Sequence, residues 1–196
     1  RAGRSHFCET PGGALRYFDF APARHSPVEF PAGVLLLQRG PHSPAVLQRN
    51  DGVSLLDLGD GVACVEFHSK MNVLGADAFD MVDAGLLELD RHFDALVIGN
   101  QGLHFSAGAN LLHLLTLIDA GKWDDTDRLV RRFQRMNQTI KFSLKPVVVT
   151  PFGQTLGGGC EITLAAPRVQ AGAETYIGLV ETGVGLVPAG GGVKEM

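Results

Sequence analysis

Two glycine-rich joints constrain this chain more than any other feature, because each follows a β-rich run and precedes a helical pattern. The first is HFSAGAN, after ALVIGNQGL; the second is GQTLGGGCE, after KPVVVTPF. Small residues at such joints let a ligand approach the backbone, and N–H groups opening a helix lack intrahelical partners and favour negative charge. Two joints can therefore supply two amide donors, the number that suits an acyl oxygen gaining charge. Each joint alone also fits a tight strand-to-helix turn with close packing.

The sequence around the joints alternates in the same way. VSLLDLGDGVACVEF reads as two strands about a GDG turn, with Val62, Cys64 and Glu66 alternating against Ala63, Val65 and Phe67. Residues 76 to 92 place Phe79, Val82, Leu86 and Leu89 on one helical stripe. ALVIGN reads as a buried strand, NLLHLLTLIDAG as a helix, and DDTDRLVRRFQRMNQTIKF as a helix whose inner face carries Leu129, Phe133, Met136 and Ile140. Strand, helix, strand, helices, strand is the order of an α/β layered domain, with helices covering a mostly parallel sheet. Six of the ten prolines fall in residues 1 to 44, so residues 1 to 52 read as a Pro-rich connector or lead-in and residues 53 to 196 as the folded core. Both ends read as cuts from a longer polypeptide.

Several chemistries lack their signatures. A formal charge of −4 over 196 residues, with scattered Lys and Arg, gives no basic field for nucleic acid. No apolar run is long enough for a membrane span and no signal peptide opens the chain, which points to a soluble, cytoplasmic protein. Cys8, Cys64 and Cys160 form no CxxC pair and read as reduced thiols, with neither a disulfide framework nor a metal site. No GxxxxGK[ST] or GxGxxG occurs, and HFSAG lacks the first glycine of a nucleophile elbow. His113, inside NLLHLL, reads as a partly buried helix residue rather than a ligand or base.

Two carboxylates remain as proton carriers. Glu161 follows the triple glycine on the first turn of an apolar helix, where it could simply stabilise the helix N-terminus. Glu181 is the lone charge in YIGLVETGVGLVPAGGG and could equally be an exposed loop residue. Twenty positions apart, they can meet only if the chain returns, and PRVQAGAETYIG offers that return. In apolar surroundings both would have raised pKa values and could serve as acid and base around one substrate.

These residues resemble the crotonase (enoyl-CoA hydratase/isomerase) superfamily over about residues 53 to 196, in FHSKMNVLG, HFSAGANL, KPVVVTPFGQTLGGGCEITLAA and AETYIGLVETGVGLVPAGGG. More closely, EFHSKMN and GLVETGVGLVPAGGGVKE are similar to the hydratase module of bacterial fused 3-hydroxyacyl-CoA dehydrogenase/enoyl-CoA hydratases. The resemblance implies a crotonase-like ββα spiral without the family's C-terminal helices, which close the acyl pocket and build a trimer. It implies oxyanion-hole amides at Ala109 and Gly158, catalytic glutamates at Glu161 and Glu181, and a CoA path along Lys70, Met71, Ala107 and Gly108. Asn110 stands where the family often has Asp. The implied reaction is hydration of 2-enoyl-CoA to 3-hydroxyacyl-CoA in fatty-acid β-oxidation; a Δ3-Δ2-enoyl-CoA isomerase and a silent acyl-CoA binding module are the alternatives. CoA belongs to the substrate, no cofactor is expected in this segment, and NAD enters only if a dehydrogenase module precedes it. A homo-oligomer is the expected assembly of the intact protein.

Overall fold

The computed structural model describes residues 7–9, 15–29, 33–37 and 43–196, and the chain divides into two compact units at Pro44/Ala45. In the first unit, β1 (Phe7–Glu9), β2 (Leu15–Asp19) and β3 (Arg24–Pro27) form an antiparallel sheet in the order β1-β2-β3. Phe18 stacks edge-on against Phe20 and His25. The Pro-rich lead-in thus contains short paired strands, with prolines at their ends and between them. The side chain of Cys8 lies outside the described residues.

The second unit begins eight residues before the start at 53 read from the sequence, with strand β4 (Ala45–Arg49). It is followed by β5 (Val53–Gly59), β6 (Val62–Phe67), a 3-10 turn Lys70–Asn72, β7 (Val73–Leu74), α1 (Ala76–Arg91) and β8 (Ala95–Gly99). Next come β9 (Gly108–Ala109), α2 (Leu111–Asp119), α3 (Trp123–Lys141), β10 (Val147–Val149), β11 (Gln154–Leu156) and α4 (Gly158–Ala165). The chain ends through β12 (Arg168–Val169), β13 (Tyr176–Gly178), a 3-10 turn Glu181–Val184 and α5 (Gly192–Glu195).

The main sheet has the order β12-β10-β8-β6-β5-β4. Its β12, β10, β8 and β6 run parallel, while β5 and β4 add an antiparallel edge. β6 reaches its parallel neighbour β8 through α1, since parallel strands need a crossover rather than a hairpin. The stripe on α1 is buried as its spacing requires, and so are Phe133, Met136 and Ile140 of α3. On β6, by contrast, Cys64 and Glu66 are as buried as Ala63, Val65 and Phe67. An interior strand covered on both faces loses the contrast that alternation encodes.

A second, smaller layer carries the joints. β7 pairs in parallel with β9, placing Leu74 beside Ala109, and β11 pairs in parallel with β13, placing Leu156 beside Gly178. A bridge between Ser106 and Thr155 connects the two pairs. Both glycine joints therefore lie next to each other at the ends of this layer.

Candidate active site

The first joint is held from beneath. The Ser106 hydroxyl donates to the Asn72 carbonyl at 2.7 Å and accepts from the Gly108 N–H at 3.0 Å. The Ala107 N–H donates to the Met71 carbonyl at 3.0 Å, and the Asn110 N–H to the Leu74 carbonyl at 3.0 Å. Asn110 then caps α2, its side-chain oxygen accepting the His113 N–H at 3.1 Å. Gly108 has φ +95°, and a Cβ there would lie 2.8 Å from the Leu156 carbonyl oxygen and 3.1 Å from the Gly158 nitrogen. Only glycine lets the two joints come this close.

The second joint turns through Gly157 at φ +51°, and Gly158 is the first residue of α4, with an N–H free of the helix's own bonding. The Gly157 N–H donates to the Gly178 carbonyl at 3.0 Å, extending the β11·β13 pairing by one step. That pairing is the return which the sequence required: three residues after Gly178 the chain reaches Glu181, beside Gly157.

Both carboxylates line one cavity of about 310 Å³, together with Ala107, Gly108, Ala109 and Gly158. Its remaining wall is mostly apolar, with Leu74 and Phe79 on one side, Leu129 and Phe133 from α3, and Val184 and Val187 from the last loop. Glu161 is only 4% exposed and accepts the Gly192 N–H at 2.9 Å. Burial pushes its carboxyl above the ordinary range and the nearby Glu181 charge adds to the rise, while backbone N–H groups of Gly190 to Gly192 pull it back. Glu181 is half-buried, and its Oε2 has no hydrogen-bond partner among the described residues. Burial and the two glutamates push the Cys160 thiol up to about 11, and burial beside Glu66 pushes Cys64 to about 12. Both thiols are buried and free, and neither provides a thiolate nucleophile at neutral pH.

Two residues read as CoA contacts stand apart. Lys70 and Met71 lie on the exposed 3-10 turn ahead of β7 and do not line the cavity, although Met71 is bonded to Ala107, which does. His113 departs from its reading in the other direction: it is exposed rather than partly buried, and it lines the cavity. The apolar neighbours in NLLHLL suggest a partly buried His113, but α2 has no buried residue, and its other polar side chains, Thr116 and Asp119, are exposed as well. Among the described residues no group of His, Cys, Asp and Glu could hold a metal ion, and no helix is long and apolar enough to cross a membrane.

The chain is 51% identical, over 82% of its length, to a probable 3-hydroxyacyl-CoA dehydrogenase of Bacillus subtilis, of which it covers 20%. It is 34% identical, over 77% of its length, to a putative fatty acid oxidation complex trifunctional enzyme of Rickettsia felis, of which it covers 21%. The chain thus spans about a fifth of the length of these curated relatives. An enoyl-CoA hydratase crystal structure from Polaromonas superposes with a TM-score of 0.68 at 21% identity, over 73% of this chain and 56% of that one. One from Bacillus anthracis gives 0.66 at 20% identity, over 74% and 57%. These likenesses establish a crotonase-type fold. Residues 61–194 match the family model described as enoyl-CoA hydratase/isomerase, and the chain belongs to that family.

Proposed function

We propose that the cavity hydrates a 2-enoyl-CoA thioester to the 3-hydroxyacyl-CoA, as one step of fatty-acid oxidation. The observation that carries the reading is two carboxylates, Glu161 and Glu181, on one apolar cavity whose wall includes both glycine joints. In this scheme the thioester oxygen sits between the amides of Ala109 and Gly158, which stabilise the enolate charge as it develops. Ionised Glu161 takes a proton from water as the water oxygen bonds to the β-carbon. Glu181 serves as the acid that delivers a proton to the α-carbon, so that H and OH add across the double bond and the proton taken up by Glu161 balances the one given by Glu181. Burial raises the Glu161 carboxyl and so strengthens it as a base, while the Gly192 N–H offsets part of the rise by favouring the ionised form. CoA would leave the cavity past Ala107 and Gly108 toward the turn at Lys70 and Met71. NAD would belong to a dehydrogenase module elsewhere in the intact protein. A cytoplasmic location and a homo-oligomeric assembly belong to the same reading.

The test is loss of the ultraviolet absorbance of a short enoyl-CoA on incubation with the intact protein. Glu161→Gln and Glu181→Gln should each slow it by about 10² to 10⁴, with a double variant little slower than either, because the groups serve one coupled step. Full turnover in Glu181→Gln with none in Glu161→Gln would favour an isomerase working through one carboxylate. Binding of the CoA ester with no loss of absorbance would leave an acyl-CoA binding module.

A further inference from the structure

Asn137 lies one turn before the C-terminal end of α3, 3% exposed, among residues that are otherwise apolar on that face. Its Nδ2 donates to the Gly190 carbonyl at 2.9 Å, while its Oδ1 is buried without a hydrogen-bond partner among the described residues. A half-satisfied buried amide costs stability that an apolar side chain of similar size would avoid, so packing does not account for an amide at this place. The bond to Gly190 does.

That bond fixes the segment lying directly on Glu161. A Cβ at Gly190 would come 2.6 Å from Glu161 Oε2 and 2.3 Å from the Phe133 ring, so the backbone itself is pressed between α3 and the carboxylate. Two residues on, the Gly192 N–H donates to Glu161 Oε1 at 2.9 Å. The same face of α3 grips the segment at both ends. Gln134 donates to the Ala189 carbonyl at 2.7 Å and Lys141 pairs with Glu195, positions three and four residues from Asn137. Of these three α3 side chains, Asn137 alone is buried, and it alone bonds Gly190, a glycine whose Cβ position falls against Glu161.

We propose that Asn137 is a positioning residue for Glu161, holding the Gly190 carbonyl so that the following glycine N–H groups stay aimed at the Glu161 carboxylate. Its catalytic consequence rests on the hydration reading above, whereas its effect on the carboxylate does not. Of the titratable groups around Glu161, Glu181 acts on it electrostatically, while the Cys160 thiol, pushed up to about 11, is neutral where a carboxylate titrates. Lys141 and Lys194 are both engaged with Glu195. Loosening the glycine segment removes donors from the ionised carboxylate and leaves its burial and the Glu181 charge unopposed, so the Glu161 pKa rises.

The experiment uses Asn137→Leu, which removes the donor at similar volume, and Asn137→Ala should the first not fold, both in the intact protein. The primary readout is the infrared band of the protonated Glu161 carboxyl, isolated by subtracting Glu161→Gln spectra and followed through pH. Loss of one backbone donor should raise its midpoint by about one pH unit. The acid limb of kcat should move up by the same amount, lowering turnover on that limb about tenfold with KM little changed. Arg131→Ala, on the exposed side of α3 and paired with Asp127, should move neither. A Glu161 midpoint unchanged in a folded Asn137 variant overturns the proposal whatever the activity. A raised midpoint in a protein whose wild type does not hydrate enoyl-CoA upholds the positioning role and rejects the hydratase reading.

Discussion

Helices α1 and α2 are both legible as helices in the sequence and behave oppositely as structure. α1 buries Ala78, Phe79, Met81, Val82, Gly85, Leu86 and Leu89 against β5, β6 and α3. α2, LLHLLTLID, is the more apolar of the two, yet none of its residues is buried and only Leu114, Leu117 and Ile118 are half-buried. Leu111, Leu114 and Ile118 face the cavity, while Leu112 and Leu115 are exposed. Apolar content measures what a helix could bury; a partner surface decides what it does bury. The α1 side of the unit is built for stability, and the α2 side is built around a space.

The largest test of that contrast is Leu89→Ala on α1, at a side chain 2% exposed. A truncation in so closed a core should cost about 2 to 5 kcal/mol in chemical unfolding. A cost below one would remove the claim that stability resides on this side.

Glu161→Gln sharpens the contrast from the cavity side, with a smaller effect of opposite sign. The folded-state pKa of Glu161 is raised, chiefly by burial, so the ionised carboxylate weakens the fold as pH rises through that value. The variant should be more stable than wild type at neutral pH, and the gain should vanish below the ordinary carboxylate range. Unfolding midpoints at both pH values measure it; a destabilised variant at neutral pH would mean that Glu161 supports the fold.

The smallest effect is expected for Leu112→Ala on α2, a side chain 76% exposed, where the change in stability should stay within about 0.5 kcal/mol. A loss in the intact protein as large as that of Leu89→Ala would show that α2 is covered there, and the contrast would end.

Much of the architecture was legible because its determinants are local. The stripe Phe79, Val82, Leu86, Leu89 and that of Phe133, Met136, Ile140 each predicted a helix face that is buried as expected. The two glycine joints announced themselves by composition and by their place after strands. Glu66 was not legible, because alternation marks a face only where the other face meets water, and β6 has no such face. His113 was misplaced for the matching reason, since nothing in NLLHLL says that the helix borders a cavity. Asn137 carried no signal at all: its spacing belongs to an ordinary amphipathic helix, and its partner lies 53 residues away.

The sequence by itself determined the main helices, the strands of the core from Val53 onward, the glycine joints and the family resemblance, but not the strands between Phe7 and Arg49, because periodicity, backbone freedom and motif order are properties of neighbouring residues. Only the tertiary structure decided that Glu181 returns to the cavity beside Glu161, through the pairing of β13 with β11 and the bond from Gly157 to Gly178. It also decided that Ala107 and Gly108 border the cavity while Lys70 and Met71 sit outside it. The physical reason is the same in each case: a site is made of contacts between segments far apart in the chain, and which segments pair depends on all the surfaces competing to be buried.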